Sequence, residues 1–219
     1  ELRPFGSYSV YTGYSLVNDS EGKSDKVVFG QNYQVTKDFG IYSEHQLLKD
    51  PDARSTIEAY GISYKVKDNY TLGIAYQQGV VNENAGESYK RRAVSLSSSY
   101  DKSKFKLTNK FEYRIDNKSS LNEETYVTTN GFSVRLTDSL RGLANFDYSI
   151  SRDRETDETI ERYSEANVGF AFRPVTNNRL AILGRYRNIQ QEDNTSRTNV
   201  TDQKKEIFEA EVNYKLSNK

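Results

Sequence analysis

Apolar and polar residues alternate along this chain with a period of two. Between 105 and 114, Phe105, Leu107, Phe111 and Tyr113 alternate with Lys106, Lys110, Glu112 and Arg114. Successive side chains of a β-strand point to opposite faces, so such a stretch has one apolar and one charged face. This period, with the turn residues between, predicts twelve strands at 4–17, 26–36, 40–49, 56–67, 70–81, 89–100, 105–115, 123–136, 141–151, 161–173, 179–190 and 204–216. Connections after the even strands are brief (36–39, 67–69, 101–104, 137–140, 174–178). Those after the odd strands, at 18–25, 50–55, 82–88, 116–122, 152–160 and 191–203, are longer and richer in charge. Short turns alternating with long loops over an even number of strands predict a transmembrane antiparallel up-and-down β-barrel, a single domain over 1–219. Its termini and short turns lie on the periplasmic side and its long loops outside. A sandwich with Greek-key connections is the alternative left open.

Most strands assign their own faces. Tyr60, Ile62, Tyr64 and Val66 oppose Ala59, Gly61, Ser63 and Lys65; Leu72, Ile74 and Tyr76 oppose Thr71, Gly73, Ala75 and Gln77. Ala144, Phe146, Tyr148 and Ile150 oppose Asn145, Asp147 and Ser149; Val168, Phe170 and Phe172 oppose Glu165, Asn167 and Arg173; Phe208, Ala210, Val212, Tyr214 and Leu216 oppose Glu209, Glu211, Asn213 and Lys215. A basic residue facing lipid at the bilayer midplane costs roughly 2–4 kcal/mol, so the charged parity is expected inside. The expected lumen-lining residues are Lys106, Lys110, Glu112, Arg114, Arg135, Asp147, Glu165, Arg173, Arg185, Arg187, Glu209, Glu211 and Lys215. A soluble barrel inverts this arrangement, but twelve strands enclose more room than one apolar face fills. Two places resist: 41–48 has no clean apolar parity, and Asn109 falls on the lipid side.

Composition removes several classes of function. Lys plus Arg equals Asp plus Glu at 31 each, so no basic excess argues for nucleic acid. Without cysteine there are no disulfides, thiol nucleophiles or thiolate metal sites. Hydrophobic residues are 35%, and no run approaches the ~18 apolar residues of a membrane helix. Aromatics reach 12%, with 17 Tyr and 10 Phe, more than disordered chains carry. Tyr64, Tyr70, Tyr100, Tyr113, Tyr148 and Tyr214 lie near strand ends, where a ring with a hydroxyl suits the lipid–water boundary. Pro51 and Pro174 fall in connections and Pro4 at a strand start, where no ladder donor is lost. Glycines within strands (Gly13, Gly30, Gly61, Gly73, Gly131, Gly169, Gly184) leave room for bends or for large neighbours. The first residue is Glu1, without initiator Met or signal peptide, as in a mature protein or a segment of a longer one.

Candidate chemistry is thin. His45 is the single histidine, no serine stands in a nucleophile elbow, and no second imidazole supports a metal site, so neither enzyme activity nor a cofactor is expected. The segment 152–161 carries several carboxylates, which could gather Ca²⁺ or bridge lipopolysaccharide but more commonly form a solvated loop. Asn-X-Ser/Thr at Asn18, Asn69, Asn117, Asn194 and Asn199 is expected by chance in this composition. Charges of both signs on neighbouring strands predict cross-strand pairs, with Arg185 and Arg187 facing Glu165 on one side and Glu209 or Glu211 on the other.

The stretch Val168 to Tyr186, with its Arg173-Pro174-Val175 turn, and the closing strand Phe208 to Leu216 resemble the end of a group of bacterial outer-membrane barrels. These are the C-terminal barrels of large exported surface or repeat-bearing proteins, and Val28 to His45 is similar to an earlier hairpin of the group. The resemblance implies an outer-membrane location and insertion by the assembly machinery, whose recognition strand Phe208, Val212, Tyr214 and Leu216 match. The chain departs from that pattern by running on through Ser217 and Asn218 to Lys219 without a terminal Phe. It carries over no catalytic residue. The expected role is therefore membrane anchor or scaffold of a larger surface protein or assembly, and next a passive pore for ions or small solutes. An outer-membrane hydrolase and a soluble β-protein follow. Expected partners are outer-membrane lipid and lipopolysaccharide, the assembly machinery and other envelope proteins, without nucleic acid.

Overall fold

A computed structural model describes residues 7–19, 22–51, 53–84, 86–119, 121–175, 179–194 and 201–215. Twelve strands form one sheet: β1 (Tyr8–Asp19), β2 (Gly22–Gln34), β3 (Phe39–Lys49), β4 (Ala53–Lys67), β5 (Tyr70–Glu83), β6 (Ser88–Lys102), β7 (Phe105–Asn117), β8 (Asn122–Arg135), β9 (Leu140–Asp153), β10 (Thr159–Phe172), β11 (Leu180–Asp193) and β12 (Thr201–Tyr214). Each hydrogen-bonds to its neighbours in chain order, and the registered pairs are antiparallel. All twelve expected strands are present, and no crossover of the Greek-key kind occurs among them. Pro4 and Leu216 lie outside the described residues.

The strands outrun the expected ones on the long-loop side, where β1 reaches Asp19, β7 reaches Asn117 and β11 reaches Asp193. Much of the charge assigned to loops is therefore strand. Beyond lipid, water meets both faces, and the ladder continues without an apolar parity. On the opposite side the turns after β2 and β8 share one chemistry. Thr36 Oγ1 accepts the N–H groups of Asp38 and Phe39 at 3.3 and 3.0 Å, and Thr137 Oγ1 those of Ser139 and Leu140 at 3.2 and 3.0 Å. A threonine hydroxyl taking turn donors in this way is a local substitute for the ladder.

The chain divides into two compact units. The first comprises Glu1–Ser98, Glu112–Thr125 and Asp153–Glu158, and the second Ser99–Phe111, Tyr126–Arg152 and Thr159–Lys219. In the first unit the two faces of the sheet differ sharply: Ala59 is 2% exposed, whereas its neighbour Tyr60 is 48% exposed. The crowded face, here the inner one, carries Ile57, Ala59, Ala75, Val81, Tyr89 and Ala93; the open, outer face carries Ile62, Tyr64, Leu72, Ile74, Val94 and Leu96. A water-soluble sheet would bury its large apolar residues and expose its small ones. Here the open face carries most of the large apolar residues and the crowded face is half alanine, which suits a hydrocarbon solvent outside. The second unit keeps the same parity, with Phe146, Val168, Phe170, Phe208 and Val212 on its open face.

Several polar residues of the outer face satisfy one another. Asn109 donates its amide to Asn130 Oδ1 at 2.7 Å, and Asn130 in turn donates to Thr128 Oγ1 at 3.1 Å and to the Phe146 carbonyl at 3.2 Å. In the first unit the Tyr8 hydroxyl donates to Gln31 at 2.8 Å, and Gln31 donates to Ser43 Oγ at 2.8 Å. These contacts account for Asn109 and, within 41–48, for Ser43.

Inner-face glycines give space to their neighbours: the Tyr11 ring crosses Gly30 so that its hydroxyl reaches Glu44 at 2.5 Å. At Gly79 the crowding is by backbone, because a Cβ there would collide with the Thr56 carbonyl oxygen. Backbone in a ladder cannot swing aside as a ring can, so Gly79→Ala should cost about 1–3 kcal/mol, read from the urea midpoint of the protein folded in vesicles.

Candidate functional site: charge on the inner face

Near the long-loop end of the first unit, β6 and β7 bring Arg91 and Asp116 together. Arg91 Nε and Nη2 donate to the two Asp116 oxygens at 2.8 and 2.7 Å, a bidentate pair with the Asp116 side chain 5% exposed. Arg91 also lies 6.0 Å from the Tyr89 ring centroid, and Lys118 approaches the same ring at 5.1 Å. Lys118 Nζ pairs with Glu123 at 3.2 Å and lies 3.9 Å from Glu83. Burial works against the Lys118 charge, but Glu123, with Tyr89 and Glu83 behind it, more than offsets this and holds the lysine above its ordinary pKa. Lower on β7, Arg114 donates to the buried Glu112 carboxylate at 2.7 Å.

In the second unit Arg185 pairs with Glu209 directly across the β11–β12 ladder, and Arg187 Nε lies 3.2 Å from Glu165. Glu165 also accepts the Tyr163 hydroxyl at 2.6 Å and stands opposite Asp147 on β9. These two arginine pairs are those the alternation of signs suggests, except that Glu211 stands opposite Leu183. The Arg187 N–H is not directed at the carboxylate, and buried oxygens of Asp147 and Asn167 have no hydrogen-bond partner among the described residues. Lys106 stands 3.9 Å from Asp101, and Arg135, Arg173 and Lys215 are exposed at the short-turn end. Lys110 follows the inner parity of β7.

The expected site residues thus fall on one parity, most of them in two clusters. Arg91, Asp116, Lys118, Glu83 and Glu123 were not expected. The run Lys90-Arg91-Arg92 puts charge on both faces of β6, which silences the alternation. Only the spacing of Arg91 from Ala93 and Ser95, against Val94 and Leu96, marks its side.

His45 lies on the outer face of β3, opposite Glu58. The Glu58 carboxylate accepts the Tyr60 hydroxyl and the Gln78 amide, each at 3.2 Å. In the acidic segment 152–161, Asp153 is used locally: it accepts the Glu155 N–H at 2.9 Å and the Thr156 hydroxyl at 3.1 Å. No group of three His, Cys, Asp or Glu among the described residues is placed to hold a metal ion.

No protein-family model matches the chain, and no curated protein matches it in sequence. Solved structures do match in fold. The outer-membrane channel DcaP of Acinetobacter baumannii is similar with a TM-score of 0.64 and 11% identity, over 94% of this chain and 71% of that one. OmpT, an outer-membrane protein of Vibrio cholerae, is similar with a TM-score of 0.55 and 6% identity, over 94% and 95%. A bacterial polysaccharide outer-membrane secretin gives a TM-score of 0.55 and 8% identity, over 96% and 76%. The likeness is one of fold: this chain has the twelve-stranded, antiparallel, up-and-down fold of bacterial outer-membrane β-barrels.

Proposed function

We propose that the barrel is the membrane anchor or scaffold of a larger surface protein or assembly. The observation that carries this reading is the pairing of inner-face charges: Arg91 with Asp116, Arg114 with Glu112, Arg187 with Glu165 and Arg185 with Glu209. Selective ion pathways are commonly lined by rings of one sign, and adjacent opposite charges cancel the field that would draw an ion along the wall. The resemblance of 168–186 and 208–216 to the C-terminal barrels of large exported proteins supports the same role, together with insertion by the assembly machinery. No catalytic role is proposed.

A passive pore for ions or small solutes is the second reading. It is favoured by the likeness to a protein described as a channel and by the acceptor oxygens of Asp147 and Asn167, which suit a water-lined wall. Planar-bilayer recording of the refolded protein separates the two. The anchor reading expects little or weakly selective conductance; a large, steady conductance establishes the pore.

A further inference from the structure

We propose that Arg135, Arg141 and Arg173 form a binding site for small soluble oxyanions, those bearing phosphate or carboxylate groups, at the short-turn end of the second unit. The three come from β8, from β9 and from the segment just after β10. They line one cavity of about 670 Å³, within the range of small-molecule sites. Each follows the inner parity of its strand: Arg135 continues Gly131 and Ser133, Arg141 stands opposite Ala171, and Arg173 continues Gly169 and Ala171.

The frame of this cavity is tied by main-chain hydrogen bonds. The Arg173 N–H donates to the Ser139 carbonyl at 2.8 Å, the Val175 N–H donates to Ser139 Oγ at 3.2 Å, and the Arg135 N–H donates to the Lys104 carbonyl at 2.6 Å. The turn after β8 and the chain after β10 are thereby fixed to each other, and the arginines project from anchored backbone.

These arginines differ from the others on the inner face. Arg185 and Arg187 have carboxylates beside them. Among the described residues, none of Arg135, Arg141 and Arg173 has an ion-pair or side-chain hydrogen-bond partner. Asp138 lines the same cavity but forms no ion pair with them, so three guanidinium groups meet one carboxylate there. A guanidinium is a planar fork of donors matched to a carboxylate or phosphate. Three unpaired forks around one cavity are left to an anion from solution. Their inner parity favours a soluble solute over the phosphate of a lipid headgroup, which would approach the outer face.

The test uses the full chain refolded in detergent, with inorganic pyrophosphate as the probe and calorimetric titration as the readout. Saturable binding that weakens as salt rises is expected in the parent protein. The triple variant R135Q/R141Q/R173Q should weaken it at least about tenfold, while the outer-face control Lys90→Gln leaves it unchanged. Should the triple variant lose the gel shift of the folded form on heating, Arg141→Gln and Arg173→Gln singly supply the comparison, each with a several-fold loss. Absent saturable binding, or binding unchanged by these substitutions, overturns the proposal. So does equal competition by phosphatidylglycerol micelles, which would assign the site to lipid. The readout needs no conductance, so it stands apart from the choice between anchor and pore.

Discussion

Arginine in place of Ile74 should cost the folded protein about 2–4 kcal/mol, among the largest losses any single outer-face change can produce. Ile74 is 43% exposed on the outer face of β5 and stands opposite Ile62. Leu72 and Tyr76 lie on either side of it on that face. A guanidinium there either enters hydrocarbon or drags water and headgroups inward to meet it. Gln77→Arg, three residues further along the same strand but on the inner face, should cost less, because a polar side chain already stands there away from hydrocarbon. Urea unfolding of both variants in lipid vesicles checks the contrast. Equal losses would mean that the faces have been assigned the wrong way round.

Removing one member of the Arg91–Asp116 pair should be comparably severe. Asp116→Ala leaves a guanidinium that is 23% exposed without the carboxylate that holds both its donors. Breaking a buried pair from one side typically costs 3–5 kcal/mol, and the partial exposure of Arg91 places the expected loss near the lower end, about 3 kcal/mol. Replacing both residues by leucine should recover most of that, since the cost comes from the stranded charge more than from a net gain by the pair. The urea midpoints of D116A and of R91L/D116L give the comparison. A double variant as unstable as the single one would show that the pair itself stabilises the native state.

The fold was legible in the sequence because the membrane imposes its demand on every strand. In β4, Tyr60, Ile62 and Tyr64 can only be alternate residues facing a common apolar medium, and the same rule fixes β5, β9, β10 and β12. The charged clusters were legible only in part. Arg185 and Glu209 stand out because their strands alternate cleanly, and a sign change between adjacent strands suggests a bond. Asp116 and Lys118 fall where the ladder leaves lipid and the apolar parity stops, Asp116 in the last residues of β7 and Lys118 just past its end. Arg91 was hidden by the bases on either side of it. The exceptions also had a cause that one strand cannot reveal: Asn109 is tolerable on the outer face because Asn130, twenty-one residues later, takes its amide proton.

That outward asparagine pair also bears on how the sheet assembles. Sliding β7 against β8 by one residue would turn the side chains of one strand to the opposite face. Two amides would then be parted in a solvent that offers them no substitute partner. The tie from Asn130 to the Phe146 carbonyl extends the same constraint to β9. A polar spot on an oily surface thus works as a registration pin, which three strands must find together before any of them can rest.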